Sequence, residues 1–358
     1  MIAVAEARER RGPSFVVRAA VACALTVAAA APGAVVSAQS PKPLPSAADI
    51  LRTMFAAPAL IDYEGTKVIS TVRGAGAETV TILEAYKRLG RLRLEFLSPE
   101  SVSGRLIVDD GLSAWQYEPS LHLVIRGPSF VQGTAHPERA AEVLRRYRVS
   151  VLGREAVIGR DTVVVALDPG DAGSNRRLWI DEATGVALRT EERDAGGEIV
   201  YVSYFSRVSY SLNLPPALFR FRQPAGAKVL NFYVSGDAVT SVNALQARAG
   251  QDIILPARLV SRFAFRDGRV ARHGAFTAAA AVYTDGVSVV TVFQTPTSRM
   301  AFPNVGEPVA TRTGGARFLD VGYFRVLVWQ SRGMNYAVLG NVPQAVLIAI
   351  ADELAASR

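Results

Sequence analysis

The sequence predicts an α+β protein: a half-open antiparallel β-barrel with covering helices, followed by a smaller α+β domain. Residues 91–96 alternate between apolar and charged side chains, which is typical of an antiparallel sheet with one solvated face. Residues 177–205 are rich in β-branched and aromatic residues and are interrupted by two turns, which predicts a three-stranded meander. Such a meander is marginal in water alone, so we expect helices and further strands to cover its apolar face.

The first predicted element after the N-terminal region is a helix. Ser46 can cap it, and Asp49 stands three residues later, where an acidic side chain completes a capping box. Apolar residues from Ala47 to Phe55 fall at helical spacing on one face. Pro58 is expected to end this helix.

Short strands bounded by Gly, Pro or Asp follow this helix. They are predicted over 66–72, 80–88, 91–97, 105–108, 114–117 and 121–125. Residues 127–136 are expected to form a loop, and Pro137 to open a second, basic helix. Strands resume at 162–167 and lead into the meander. About ten short strands with two helices suit a strongly curved, incompletely closed barrel.

A second domain is predicted to follow residue 226. Its helices are expected over 239–249 and 343–354, and its strands over 258–266, 278–284, 287–294, 324–330 and 334–339. Asp285-Gly286 joins two of these strands and is a strong hairpin signal. Residues 297–318 are expected to form a long loop. The predicted domains are therefore 46–226 and 227–358.

The N-terminus has the pattern of a secretory signal. Four arginines precede an apolar, Ala-rich segment over 19–36, and Ser37-Ala38-Gln39 fits a cleavage site. We expect a signal peptide over 1–38, a Pro-rich linker over 39–45 and export to the periplasm. An uncleaved membrane anchor is the alternative interpretation. Cys23, the single cysteine of the sequence, lies in this signal, so the exported chain is expected to lack thiols.

The charge of the chain is compatible with two kinds of surface. The formal net charge is +8 over 358 residues. A solvated surface explains this excess, and so does attraction to an acidic partner or to anionic lipid headgroups. Nucleic acid is not an expected partner, because an exported chain without a basic-aromatic groove motif lacks the usual features of such proteins.

The residues indicate binding rather than catalysis. His122, His136 and His273 lie far apart in the sequence and form no metal-ligand spacing. Glu191 and Glu192 are adjacent on a predicted strand, so they point to opposite faces and cannot share a proton. A nucleophile elbow, a phosphate loop and a dinucleotide fingerprint are also absent from the sequence. We therefore expect a protein that is not an enzyme and uses no cofactor or metal.

The aromatic residues of the first domain have two interpretations. They are Trp115, Tyr117, Trp179, Tyr201, Tyr204 and Phe205. They could fill the core of the barrel, or they could line an open hollow that holds an acyl chain, because ligand pockets are mainly apolar with few polar groups. The residues alone leave both interpretations open.

A series of short motifs resembles the periplasmic sigma-E regulatory family, MucB/RseB. In the first domain these are Tyr63-Glu-Gly-Thr66, Arg93-x-Glu-Phe96, Asp109-Asp-Gly111 before Trp115, Leu178-Trp-Ile-Asp181, Thr184-Gly185, Leu188-Arg189, Phe205-Ser-x-Val208 and Leu214-Pro-Pro216 with Phe219. In the second they are Leu255-Pro256, Tyr283-x-Asp-Gly286, Val289-x-x-Val-Phe293 and Leu339-Gly-Asn-Val-Pro343. Their order extends over roughly residues 46–354.

This resemblance implies a regulator. The first domain would be similar to the lipoprotein carrier LolA, a half-open barrel with helices over its hollow. The protein would bind the periplasmic segment of a membrane-anchored anti-sigma factor, shield it from proteolysis, and release it when lipid or an acylated protein occupies the hollow. The candidate residues for an apolar hollow are Leu94, Phe96, Trp115, Tyr117, Trp179 and Tyr204.

Two other functions compete with the regulator. A periplasmic carrier of lipoproteins or lipids would need only the LolA-like barrel, so the second domain favours the regulator. A structural envelope protein with a filled core is the third interpretation.

Overall fold

The computed structural model describes residues 42–356 except 74–75, 132–135, 171–174, 195, 211–212, 251–252, 261, 274–275, 298–305, 313 and 321–324. The predicted signal peptide over 1–38 and most of the predicted linker over 39–45 therefore lie outside the described residues. Residues Leu44–Arg358 form one compact unit. No helix within the described ranges is long and apolar enough to cross a membrane.

The first half of the chain forms two helices and most of a large sheet. The elements are α1 (Ala47–Leu60), β1 (Tyr63–Arg73), β2 (Gly76–Lys87), β3 (Arg91–Ser98), β4 (Leu106–Asp109), β5 (Ser113–Glu118), β6 (Leu123–Pro128), α2 (Arg139–Arg146), β7 (Arg148–Val157), β8 (Arg160–Asp168), β9 (Asn175–Asp181), β10 (Ala187–Arg193), β11 (Ile199–Tyr210) and β12 (Lys228–Asn231). The twelve strands lie in the order β12-β6-β5-β4-β3-β2-β1-β11-β10-β9-β8-β7. All pairs are antiparallel except β12 with β6, so the first sheet is mixed.

The second half forms a separate sheet with two helices. Its elements are α3 (Val242–Ala249), β13 (Arg258–Leu259), β14 (Phe263–His273), β15 (Phe276–Thr284), β16 (Val289–Pro296), β17 (Glu307–Thr311), β18 (Gly314–Asp320), β19 (Arg325–Ser331), β20 (Met334–Gly340) and α4 (Gln344–Ala356). These eight strands lie in the order β13-β14-β15-β16-β20-β19-β18-β17 and are antiparallel. The predicted α+β class and covering helices are confirmed.

The register of the first sheet defines two faces. Leu94 on β3 stands opposite Glu84 on β2 and Ile107 on β4, and directly opposed residues point to the same side. We call this side the inner face and the other the outer face. Helix α1 packs its buried side chains, Leu51 among them, against inner-face residues of β8 and β9 such as Val165.

The second sheet is packed on both faces. One face, which carries Tyr283 and Val338, buries its side chains against α3 and α4. The opposite face packs against strands β6 and β12 of the first sheet, where Phe232 meets Phe293 edge-on with ring centroids 5.3 Å apart. Burial of these apolar side chains stabilises the contact between the two sheets.

A second contact joins α2 to the turn between β15 and β16 and to Arg262, just before β14. Arg139 Nη2 donates to the Gly286 carbonyl at 2.5 Å, and Arg146 donates to the Arg262 carbonyl. A Cβ atom on Gly286 would lie 3.1 Å from a methyl group of Val143, so glycine permits this close approach. The predicted Asp285-Gly286 turn is confirmed, and it also serves as a docking point.

Three expectations about elements are wrong. Helix α1 continues past Pro58 to Leu60, and the Pro58 carbonyl accepts hydrogen bonds from the Tyr86 hydroxyl and the Leu89 amide, which hold this last turn in place. The segment 297–318, expected to be a loop, contains β17 and most of β18. Strand β7 precedes the point where strands were expected to resume. The domain boundary at residue 226 stays a prediction, although β12 beyond it belongs to the first sheet.

Candidate ligand-binding cavity

A cavity of about 350 Å³ lies on the inner face of the first sheet, beside the end of α1. This size falls within the usual range of ligand pockets, roughly 300–1,000 Å³. Most of the wall comes from β1, β2, β9, β10 and β11, while Val287, Arg325 and Asn341 come from the second half of the chain. A ligand in this cavity would therefore touch both sheets.

Two buried ion pairs contribute to the polar part of the cavity wall, which also includes Thr190, Ser203, Arg325 and Asn341. Lys67 on β1 pairs with Glu84 on β2, and Glu84 also accepts a hydrogen bond of 2.6 Å from the Tyr63 hydroxyl. Arg176 on β9 pairs with Glu192 on β10 at 2.8 Å. Glu84 is only 4% exposed and Arg176 only 8%. A charged side chain is stable in a protein interior only when an oppositely charged partner and hydrogen bonds compensate for its loss of water.

Much of the remaining wall is aromatic or aliphatic. Tyr63 and Tyr86 stack with ring centroids 5.5 Å apart, and Leu178, Val186 and Val287 contribute apolar surface. Burial, together with the nearby Glu192 and Glu84 carboxylates, raises the pKa of Tyr201 to about 12. Tyr201 therefore remains a neutral hydroxyl that can donate a hydrogen bond. The cavity suits an amphipathic ligand better than a purely apolar one.

The cavity wall is therefore more polar than the apolar hollow expected from the sequence. Charged residues occupy inward positions on four of the strands that bound the cavity, and they pair across neighbouring strands: Lys67 with Glu84, and Arg176 with Glu192. Sequence reasoning missed all four. A usable signal was present for Glu84, a single charge within the otherwise uncharged run from Thr79 to Tyr86.

The six candidate residues do not share a face. Leu94 and Phe96 lie on the inner face, where they are almost fully buried in a cluster with Ile82 and Ile107. The inward residue of β5 is Gln116, because it stands opposite Ile107, which stands opposite Leu94. None of the six candidates is among the lining residues of the cavity, so their role in binding stays a prediction.

The other four candidates lie on the outer face, since side chains alternate along a strand. Trp115 stacks on Phe221 with ring centroids 5.3 Å apart, and the Tyr117 hydroxyl lies 3.2 Å from His122 Nδ1. Trp179 is buried and its indole donates to Glu155 at 2.7 Å, whereas Tyr204 is 38% exposed. The sequence alone does not reveal the strand register, which places these four residues on the face opposite to Leu94.

Glu191 and Glu192 are placed as expected on opposite faces. Glu192 points inward to Arg176, whereas Glu191 pairs with Arg189 and Arg193 on the outer side. Among the described residues, no group of three or more His, Cys, Asp or Glu side chains could hold a metal ion.

Close backbone approaches and turns explain several of the sequence motifs in this region. A Cβ atom on Gly65 would lie 2.4 Å from the Arg207 carbonyl oxygen, and one on Gly185 would lie 2.6 Å from the Thr53 carbonyl oxygen of α1. Asp109 is buried and accepts hydrogen bonds from the Gly111, Phe130 and Val131 amides and from the Ser129 hydroxyl. These motifs fix turns and helix packing rather than a ligand.

A known protein family matches the part of the chain that forms most of the first sheet. Residues 46–220 match the family model of the MucB/RseB N-terminal domain, which confirms the resemblance predicted from the motifs. A search of the curated proteins finds no match.

Solved structures that match this chain include MucB proteins. A crystal structure of MucB is 18% identical, with a TM-score of 0.49, and the match covers 87% of this chain and 96% of that one. The MucA/MucB complex of Pseudomonas aeruginosa is 19% identical, with a TM-score of 0.46 and coverage of 85% and 97%. A LolA superfamily protein from Nitrosomonas europaea is 16% identical, with a TM-score of 0.28 and coverage of 50% and 99%.

Proposed function

We propose, from the match of residues 46–220 to the MucB/RseB N-terminal domain, that this chain is a periplasmic regulatory protein that binds the periplasmic segment of a membrane-anchored anti-sigma factor. Proteins of this family are regulatory and periplasmic, and the family is not known to be catalytic. MucB has been solved in complex with MucA(peri). Cleavage of the signal after Ala38 is part of the same proposal.

One observation supports a sensing role in particular: the cavity is shared between the two sheets. Lys67 and Arg176 of the first sheet and Arg325 of the second line the same space. A ligand that fills it changes the contacts of both halves at once. The ligand then has different affinities for conformations in which the two halves are arranged differently. Such a difference in affinity allows a ligand to shift the population from one conformation to another.

The ligand we propose is amphipathic: a lipid or the acylated end of a lipoprotein. Its chain would contact Leu178, Val186 and Val287, and its polar end would contact the ion pairs. Occupancy would lower the affinity for the anti-sigma segment. The family match and the mixed wall of the cavity support this proposal.

The first experiment identifies the partner. The full exported chain is used as bait in an envelope extract, and captured proteins are identified by mass spectrometry. Recovery of one single-span protein encoded beside a sigma factor supports the regulator. Recovery of many different acylated proteins and no anti-sigma factor contradicts it and supports a LolA-like carrier. Deletion of the second sheet is a poor substitute, because it would expose the apolar side chains of β6 and β12 that the sheet covers.

A further inference from the structure

The most exposed large apolar side chains in the described part of the chain lie close together. They are Leu89, Leu112 and Leu60, which are 79%, 66% and 63% exposed. Leu60 ends α1, Leu89 lies in the turn between β2 and β3, and Leu112 lies in the turn between β4 and β5. We call these three residues the leucine rim. A single exposed leucine is ordinary, but a group of them at one edge of a fold marks an interaction site.

Backbone contacts show that the three segments adjoin. The Leu89 amide donates to the Pro58 carbonyl at 3.1 Å, which joins the turn between β2 and β3 to the end of α1. A Cβ atom on Gly111 would lie 3.0 Å from the Gly90 carbonyl oxygen, so the two turns are in contact. The three segments that carry the leucine rim therefore adjoin one another.

Folding does not explain the choice of leucine at position 89. Its φ angle is +68°, in the left-handed region that favours glycine or asparagine. Its side chain gains no burial in return. A strained backbone position that carries an exposed apolar side chain indicates a role outside the fold.

Charge beside the leucine rim suits an anionic surface. The Arg88 side chain is 60% exposed, and Lys87 and Arg91 flank the same turn. Asp62 is largely buried at 3.9 Å from both Lys87 and Arg88, and its carboxylate accepts the Arg88 amide. Asp110 is the exposed carboxylate next to Leu112. The outward charge of the turn that carries Leu89 is thus positive, in keeping with the net charge of +8.

We propose that the leucine rim inserts into the surface of an anionic lipid membrane. Three exposed leucines on three separate segments suit a fluid apolar medium, which needs no pocket shaped for each side chain. Insertion of apolar side chains combined with attraction to anionic headgroups gives reversible surface binding. The rim also lies beside the cavity, because Pro58 lines the cavity and its carbonyl accepts hydrogen bonds from both the Leu89 amide and the Tyr86 hydroxyl. Membrane binding is independent of the proposed anti-sigma partner.

Vesicle flotation tests this proposal. The chain is purified from Gln39 onwards, which retains the whole compact unit Leu44–Arg358 and removes the apolar segment 19–36, which would itself bind lipid. Vesicles contain phosphatidylcholine alone or equal parts of phosphatidylcholine and phosphatidylglycerol. We expect the protein to float with the mixed vesicles and to bind phosphatidylcholine more weakly.

The variant combines Leu60→Gln, Leu89→Gly and Leu112→Gln. Glycine suits the φ angle at position 89, so that change is not expected to lower stability. We expect a partition coefficient about tenfold lower than that of the wild type. The matched control changes three exposed leucines outside the rim, Leu97, Leu121 and Leu152, to glutamine. We expect it to bind within about twofold of the wild type, because surface changes elsewhere leave the rim intact.

A single substitution gives a second readout that does not depend on the triple variant. In Leu89→Trp, the indole fluorescence should shift to the blue on addition of mixed vesicles and be quenched by brominated lipids. The proposal is overturned if the wild-type protein does not float or the rim variant floats equally well. It is also overturned if the tryptophan stays in water. Loss of self-association in the rim variant, without vesicle binding by the wild type, would assign the rim to an interface between copies.

Discussion

The carboxylate of Glu84 has two partners inside the cavity, the Lys67 ammonium and the Tyr63 hydroxyl. Replacing Glu84 by alanine leaves Lys67 buried without its counter-charge. We expect this to cost about 3–5 kcal/mol in the free energy of unfolding, measured by urea denaturation. The double variant Lys67→Met, Glu84→Leu should recover most of the loss.

The control for this prediction is a pair on an exposed part of the same sheet. Arg93 and Glu95 form an ion pair of 3.0 Å in which the Glu95 side chain is 42% exposed. Glu95→Ala should cost less than about 1 kcal/mol, because solvent screens such pairs. Equal losses in the two alanine variants would contradict the buried role assigned to the Lys67–Glu84 pair.

Asp109 provides a pH-dependent prediction at the same scale. Burial raises the pKa of this carboxyl from 3.8 to about 6, although four hydrogen bonds oppose the shift. The folded protein thus holds the proton more tightly than the unfolded chain does. The stabilisation from this group is complete below about pH 4 and is lost as the pH rises through about 6.

Comparison with Asp109→Asn isolates this effect. The stability of the wild type relative to the variant should fall between pH 4 and pH 7 by up to about 3 kcal/mol. Denaturant unfolding of both proteins at several pH values measures it. A difference that stays constant, or that grows with pH, would show that the carboxyl is ionised throughout in the folded protein.

At the scale of elements, the packing of α1 depends on a glycine. Gly185 has a φ angle of +75°, and a Cβ atom there would lie 2.6 Å from the Thr53 carbonyl oxygen. Gly159 has a φ angle of +74° but nothing within 4 Å of its Cβ position. Both alanine variants incur the conformational cost of a positive φ, about 1–2 kcal/mol. Gly185→Ala must also displace α1, so we expect a further loss of about 1–3 kcal/mol.

Thermal unfolding of the two alanine variants checks this prediction. If Gly185→Ala is no less stable than Gly159→Ala, α1 does not pack on this turn as closely as the structure indicates.

Most strands could be predicted because their local pattern decides their structure. Strand β3 alternates strictly, and the β15–β16 turn has an Asp-Gly pair. Two of the missed strands, β7 and β17, lie at sheet edges, where one side of the backbone is unpaired, and the third, β18, lies beside β17. Strand β7 is an edge strand with a bulge at Leu152, between Val151 and Gly153, and β17 contains Pro308, which an edge position tolerates because it needs no ladder donor there.

The cavity could not be predicted for a different reason. Its wall combines side chains from strands distant in sequence, and only the register decides which side chains share a face. Trp115 and Gln116 are adjacent, yet Gln116 faces inward and Trp115 outward. By residue type, the tryptophan is the more usual ligand contact. The pairing between strands, however, places the glutamine on the inner face.

At the scale of the whole molecule, the two sheets enclose a common cavity and share an apolar interface. We propose that this arrangement couples a ligand to a partner: filling the cavity changes how the halves meet, and hence the surface that the anti-sigma segment binds. The coupling is reciprocal, so the bound segment should weaken ligand binding by the same factor.

The affinity for the anti-sigma segment, measured by fluorescence anisotropy with and without a saturating soluble acylated peptide, tests this claim most directly. Val287→Trp fills the cavity from the second half of the chain, and Leu152→Trp places the same residue at an exposed site as a control. For the wild type and the control, the account predicts an affinity at least about fivefold lower with the acylated peptide. It predicts no such response in Val287→Trp. An affinity that is the same with and without the acylated peptide in the wild type would contradict it.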